Sequence, residues 1–376
     1  MAAEPLAIDW DAFLAHDWQQ RPRLFRGALP GFKPPLDGDD LAGLAMEPEA
    51  EARIVEQRPD GWLQADGPFA PEDYDRDHPW TLLVQGVDRW APGVGALLDI
   101  LAPIPRWRIE DVMVSWADDG GSVGPHYDNY DVFLLQGSGR RRWRIGDYCE
   151  QDCELLPHPT LRLLAAFEAR EEYLLECGDM LYLPPRIAHW GIAEGACTTY
   201  SLGLRAPRLN DMVSRWADRL LESLDDELFY QDRHLKPARR AGEIRPRDLE
   251  RARLQLQAAL DQLEGNDWFG ELVTDNPRAE PAGPEEIDAA RDRLAAADGA
   301  ACARPGARIA WQADGAGLLV FTNGARLAVA GSLRDSVIQL AAGEPIAGAA
   351  LRALRESTDG ERLLAHCLDW GAIDVY

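Results

Sequence analysis

From about residue 101 to 206 the chain sets short apolar runs between Gly, Pro and Asp. VMVSW (112–116), DVFLLQ (131–136), RRWRI (141–145), EYLLE (172–176), MLYLP (180–184) and TTYSLGL (198–204) each have the length and texture of a strand. Many short strands with frequent turn signals predict one β domain, a barrel or sandwich. Ahead of it, residues 1 to about 95 mix short helical patterns with loops such as PGFKPPLDGDD (30–40).

After Pro207 the period changes. Leu209, Met212, Val213, Trp216, Leu220 and Leu224 recur at steps of three and four, as one face of a helix does. Leu249, Leu256, Leu260 and Leu263 repeat this in a second segment. Two amphipathic helices outside the β domain need a cover for their apolar faces, either their own domain or a second copy of the chain. Of the two, a dimer interface is the expectation. TDNPRAEPAGPEE (274–286) reads as a linker. Beyond it, ARIAW (307–311), GLLVFTNGARLAVAG (317–331) and three helical stretches predict a small α+β unit with a hairpin at Asn323-Gly324. A hairpin beside short helices suggests a winged-helix arrangement.

Composition adds limits. A chain of 376 residues is long enough for two or three domains. Sixty-four acids against 39 bases leave a formal charge of −25, a field that repels phosphate backbones and attracts a basic partner. Nucleic acid is therefore not expected as a direct partner. No apolar run is long enough to span a membrane, and MAAEPLAIDWDAFLAHDW lacks the basic region and apolar core of a signal peptide, so a cytoplasmic protein is expected. Six cysteines form no paired framework. Cys149, Cys153 and His158 raise a zinc site, but the spacing lacks a CxxC knuckle and a fourth ligand, and reduced thiols are the better reading.

Three stretches carry candidate chemistry. In Gly124-Pro125-His126-Tyr127-Asp128 the imidazole and the carboxylate are two residues apart, so on a strand they share a face. Asp131 would face the other way. Gly178 to His189, GDMLYLPPRIAH, reads as a strand, a proline turn and a second histidine. Two histidines and one carboxylate with other coordination positions open suit non-haem Fe(II). In Gly139 to Ile145, GRRRWRI, alternation puts Arg141, Trp143 and Ile145 on an inner face and Arg140, Arg142 and Arg144 on a solvated one. A buried Arg141 guanidinium needs a carboxylate, from a bound dicarboxylate or from one of the chain's own acids.

Together, GPHYDNYDVFLLQGSGRRRWRIGD and GDMLYLPPRIAHWG resemble the JmjC-type 2-oxoglutarate oxygenases. Within them, the chain is most similar to the bacterial ribosomal oxygenases that hydroxylate an arginine of large-subunit ribosomal protein L-sixteen. The resemblance runs over nearly the whole chain. It implies a mixed α and β architecture: a double-stranded β-helix (cupin/JmjC barrel), then a helical dimerisation segment and a C-terminal winged-helix-like α+β domain. The expected bounds are 1–207 for the catalytic domain with an N-terminal helical elaboration (barrel core about 95–207), 208–273 for the helical segment and 287–376 for the winged-helix-like domain.

The resemblance further implies iron ligands at His126, Asp128 and His189, and Arg141 on the distal carboxylate of 2-oxoglutarate. It also implies Ser115 at the cosubstrate. Fe(II), 2-oxoglutarate and dioxygen are the implied cofactor and cosubstrates, with succinate and carbon dioxide as by-products and the β-carbon of a ribosomal-protein arginine as the target. A homodimer through 208–263 follows in the same way. Thr199, where an asparagine is expected near the cosubstrate, and Trp190, where relatives can carry an acid, depart from the pattern and bear on the pocket's shape. The competing readings are a catalytically silent JmjC-like module that binds a basic protein, and a metal cupin enzyme that needs no 2-oxoglutarate. Retention of the ligand set and of Arg141 favours the oxygenase.

Overall fold

The computed structural model describes residues 8–150, 152–225, 227–237, 240–261, 267–296 and 299–376. The N-terminal seven residues and Leu263, used in the sequence reading, lie outside the described residues. The chain divides into two compact units, residues 1–206 and 207–376.

Eleven strands build the first unit: β1 (Arg23–Phe25), β2 (Ala52–Arg58), β3 (Gly61–Asp66), β4 (Trp80–Val84), β5 (Ile109–Ala117), β6 (Val132–Gln136), β7 (Arg140–Tyr148), β8 (Glu171–Leu175), β9 (Met180–Leu183), β10 (Ile187–Glu194) and β11 (Cys197–Leu204). Eight form one sheet in the order β1-β9-β6-β11-β5-β4-β2-β3, and β10-β7-β8 form a second. All pairings are antiparallel. Side chains of β5 and β6 from the large sheet and of β7 and β10 from the small one line one cavity, so the two sheets face each other across it. Phe13, Phe133, Tyr182 and Tyr200 are fully buried in the main core behind the large sheet.

The region before residue 95 corrects the sequence reading. It contains helices Trp10–His16 and Gly38–Leu44, but it also adds β1 to β4 to the large sheet. In β2, Ile54, Val55 and Glu56 are buried in succession, so no alternation marks the strand. The buried Glu56 is tolerated because Arg58 and Arg76 pair with it at 3.0 and 2.8 Å and hold its carboxyl below the usual range. A strand that the sequence reading did not give is β10, which carries His189 and runs on to Glu194.

In the second unit, β13 (Ile309–Asp314), β14 (Gly317–Thr322) and β15 (Ala325–Ala330) form an antiparallel sheet, and β12 (Ala300–Ala303) lies between β16 (Ile346–Ala347) and β17 (Ile373–Val375). Thr322 pairs with Ala325 across Asn323 and Gly324, both at positive φ, the two-residue turn that Asn-Gly favours. Helix Asp267–Thr274 packs on this sheet, its Gly270 so close to Phe321 that a Cβ would meet the ring at 2.4 Å. Of the 274–286 stretch, residues 275–283 are therefore a loop inside this unit, and Pro284 opens the next helix, Pro284–Ala295. The amphipathic segments form helices Leu209–Ser223 and Pro246–Leu260. No helix among the described residues is long and apolar enough to cross a membrane.

Candidate metal and cosubstrate site

His126 and Asp128 do not lie on a regular strand. Gly124 and Pro125 interrupt pairing, and an isolated antiparallel bridge joins His126 to His189. The two residues exchange backbone hydrogen bonds, His126 N to His189 O at 3.0 Å and His189 N to His126 O at 2.8 Å. This puts their rings 4.3 Å apart. The register of β10 against β7 shifts between Ile187 and His189, a local irregularity that re-aims side chains where it occurs. Asp128 is held from behind: its carbonyl accepts the Arg186 N–H at 2.6 Å. Arg186, in the turn after Pro184-Pro185, has φ +68°, a conformation rare for a residue with a Cβ.

One ligand atom from each of His126, Asp128 and His189 lies within 4.8 Å of the others, and this is the metal-competent group found among the described residues. The histidines are prepared for coordination. Nδ1 of His126 is 2.9 Å from Gly124 O, and Nδ1 of His189 is 2.9 Å from Ile187 O. A carbonyl accepts, so each Nδ1 carries the proton and each Nε2 keeps its lone pair, the usual way a ligating tautomer is fixed. Burial, reinforced by neighbouring His126, pushes the His189 imidazole down to about 4, so it is neutral near pH 7. Its 3.7 Å approach to Asp128 Oδ2 is then no ion pair at that pH. Tyr130 donates to Asp128 from the side, and burial raises its phenol well above the ordinary value.

Arg141, on β7, is 4% exposed and lines the same cavity. Among the described residues its guanidinium makes one hydrogen bond, from Nη1 to Ser115 Oγ at 3.4 Å, while Nε and Nη2 find no partner. No acid of the chain neutralises it among the described residues. By contrast, Arg142 and Arg144 on the opposite face pair with Glu172 at 2.6 and 3.0 Å in solvent. A buried, two-thirds-unpaired guanidinium facing three metal-competent ligands suits a bound carboxylate, and the 2-His-1-carboxylate donor set suits Fe(II). The residues present fit both groups.

The two departures differ: Thr199 shares the inner face of its cross-strand partner Ser115, and Trp190 points away from the cavity. Thr199 is buried beside Ser115 in the strand register and donates to Gln136 Oε1 at 3.3 Å. Trp190, one residue past His189, points the other way and donates to Ser122 Oγ at 2.8 Å. Asp131, also directed away, is an acceptor for Gln19, Arg108 and Tyr182. Cys149 and Cys153 are free thiols, and both nitrogens of His158 are engaged, with Trp62 O and with the amides of Thr160 and Leu161. Sequence reasoning missed Gly124, Arg186, Tyr130 and the acids Glu110 and Asp111 of the cavity wall. Of these, only Gly124, beside Pro125, carried a local signal, that of a turn.

Residues 96–212 match the JmjC domain family, and residues 261–373 match the ROXA-like winged helix. The chain is 37% identical over 292 residues to the ribosomal protein uL16 3-hydroxylase of Escherichia coli (strain K12), covering 75% of this chain and 78% of the relative. The chain belongs to the JmjC ribosomal oxygenase family. Among solved structures, this family member is similar to E. coli YcfD, with a TM-score of 0.83, 32% identity and 99% of each chain covered. It is also similar to YcfD, a ribosomal oxygenase, in complex with cobalt and 2-oxoglutarate, with a TM-score of 0.81, 31% identity and coverage of 98% of this chain and 99% of that one. The cupin/JmjC barrel and the C-terminal winged helix expected from the sequence are thus both present.

Proposed function

We propose that this chain is an Fe(II)- and 2-oxoglutarate-dependent oxygenase that hydroxylates the β-carbon of an arginine in ribosomal protein uL16. The observation that carries this reading is the Arg141 guanidinium, buried without an acid and facing the cavity of His126, Asp128 and His189. The named activity of the E. coli relative supplies the substrate. When bound, Fe(II) with 2-oxoglutarate and dioxygen supplies the oxidising power for C–H hydroxylation, the cosubstrate leaving as succinate and carbon dioxide.

The protein's part is binding and orientation. His126, Asp128 and His189 would hold the metal on one face, and Arg141 with Ser115 would hold the distal carboxylate. Asp111 puts negative charge on the same wall, where Gln85 donates to both its oxygens at 3.0 and 2.8 Å, while Glu110 beside it is paired with Arg205 at 2.7 Å. This suits a basic side chain, as the charge of −25 suits a basic protein over nucleic acid. A peptide covering the uL16 arginine site tests the substrate. With Fe(II), 2-oxoglutarate and air, it should gain one oxygen with matched succinate; succinate without a mass shift would remove this substrate and keep the reaction class.

The domain reading of 1–207, 208–273 and 287–376 and a homodimer through 208–263 belong to the same proposal. The helices Leu209–Ser223 and Pro246–Leu260 support it, because Leu209, Val213, Leu221, Leu249, Leu254 and Leu256 are exposed. A cytoplasmic site of action follows from the ribosomal substrate.

A further inference from the structure

Trp143 stands two residues after Arg141 on β7 and shares its inner face. The guanidinium carbon of Arg141 lies 5.9 Å from the indole centroid, and the His189 ring centroid is also 5.9 Å away. The residue is 4% exposed and lines the cavity. Its six-membered edge is fixed by Gly191, the cross-strand partner on β10: a Cβ on Gly191 would fall 2.7 Å from Trp143 Cη2. Only glycine leaves room for the indole in this orientation. The pyrrole edge is left, and its Nε1 is buried with no hydrogen-bond partner.

A buried N–H without an acceptor is rare in folded proteins and costly to leave unmade. Here three orphaned donors, Nε and Nη2 of Arg141 and Nε1 of Trp143, belong to neighbouring side chains on one cavity wall. An apolar ligand would satisfy none of them. A compact anion with several oxygens would satisfy them together.

We infer that the indole N–H of Trp143 is a second fixed donor to the cosubstrate, giving its hydrogen bond to an oxygen of 2-oxoglutarate bound in this cavity. The inference rests on the cosubstrate reading above and adds a residue to it. Arg141 supplies charge; Trp143 supplies a donor that cannot rotate away, because Gly191 and β10 pin its ring.

The test uses the full chain labelled with nitrogen-15 and loaded with Zn(II), a diamagnetic stand-in that supports no turnover. Of thirteen tryptophans, the indole resonance missing in Trp143→Phe identifies Trp143. Titration with 2-oxoglutarate should move that proton downfield to saturation, and Trp143→Phe should bind 2-oxoglutarate about tenfold more weakly with unchanged Zn(II) affinity. A resonance that stays in place, a phenylalanine variant with wild-type cosubstrate affinity, or one that loses Zn(II) as well, overturns the inference. If the variant does not fold, the Trp143 indole is assigned instead from its Overhauser contact with the His189 ring, and the wild-type titration of that resonance decides. Arg141→Ala is run beside it: wild-type cosubstrate affinity in that variant removes the cosubstrate reading itself, whatever Trp143 does.

Discussion

His126 and His189 exchange both backbone hydrogen bonds in an isolated antiparallel bridge, and each gives its Nδ1 proton to a carbonyl of its own segment. The pair thus presents two Nε2 lone pairs side by side, with Asp128 completing the set. Main-chain geometry sets the spacing of the two histidines, so the fold alone brings the proposed ligands together.

Metal binding should stabilise the chain through that set. At a Zn(II) concentration 100 times its dissociation constant, a folded-state ligand adds about 2.7 kcal/mol. Thermal unfolding with and without Zn(II) should show a raised midpoint in the wild type. In Asp128→Ala the rise should vanish while the metal-free midpoint stays close to wild type. A full Zn(II) response in that variant would remove Asp128 from the ligand set.

Arg141 should be a liability in the empty protein. Two of its three guanidinium nitrogens are buried and unpaired. Replacing it with an apolar residue of similar length removes that cost, so Arg141→Met should stabilise the ligand-free chain by about 1–3 kcal/mol. Denaturant midpoints with and without 2-oxoglutarate check this, and the ordering should reverse when cosubstrate saturates the wild type. A variant less stable than wild type without cosubstrate would mean that Arg141 serves the fold.

The winged-helix unit should weaken in mild acid. Burial holds the His366 imidazole below its ordinary 6.5, and Nε2 sits 2.7 Å from Thr322 Oγ1. The unfolded chain then binds the proton more readily than the folded one. Its contribution to stability is present above about pH 6.5 and declines as pH falls below it. Unfolding midpoints measured down through that range should fall more steeply in wild type than in His366→Gln; equal slopes would clear His366 of the effect.

Association through the exposed leucines should depend on single side chains. Leu249 and Leu256, 54% and 66% exposed, lie on a helix with no buried residue. Leu249→Glu should convert a light-scattering dimer to a monomer while leaving the unfolding midpoint of the first unit unchanged. A wild-type chain that stays monomeric at all concentrations contradicts the dimer.

Much of the site was legible because strand alternation is strict. It put Arg141 inside and Arg142 and Arg144 outside, and the structure places them so. Alternation failed where strands are not half-exposed. In β2 three consecutive buried residues, one of them Glu56, give no period, and the charges that signal a surface are consumed in an internal ion-pair network. β10 was not among the predicted strands, and Gly191 lies within it. Its lack of a side chain is what admits the Trp143 ring. Arg186 carried no signal, since its role is a backbone amide in a left-handed turn.

The central claim is that one cavity holds the metal and, through Arg141, the far carboxylate of 2-oxoglutarate. Anaerobic titration of the Fe(II)-loaded chain with 2-oxoglutarate, followed by its visible metal-to-ligand absorption, tests this most directly. The account predicts saturation at one cosubstrate per chain, and binding weakened in Arg141→Ala by about 2–5 kcal/mol, as for loss of one partner of a buried charge pair. No absorption in the wild type, or equal affinity in Arg141→Ala, would contradict it.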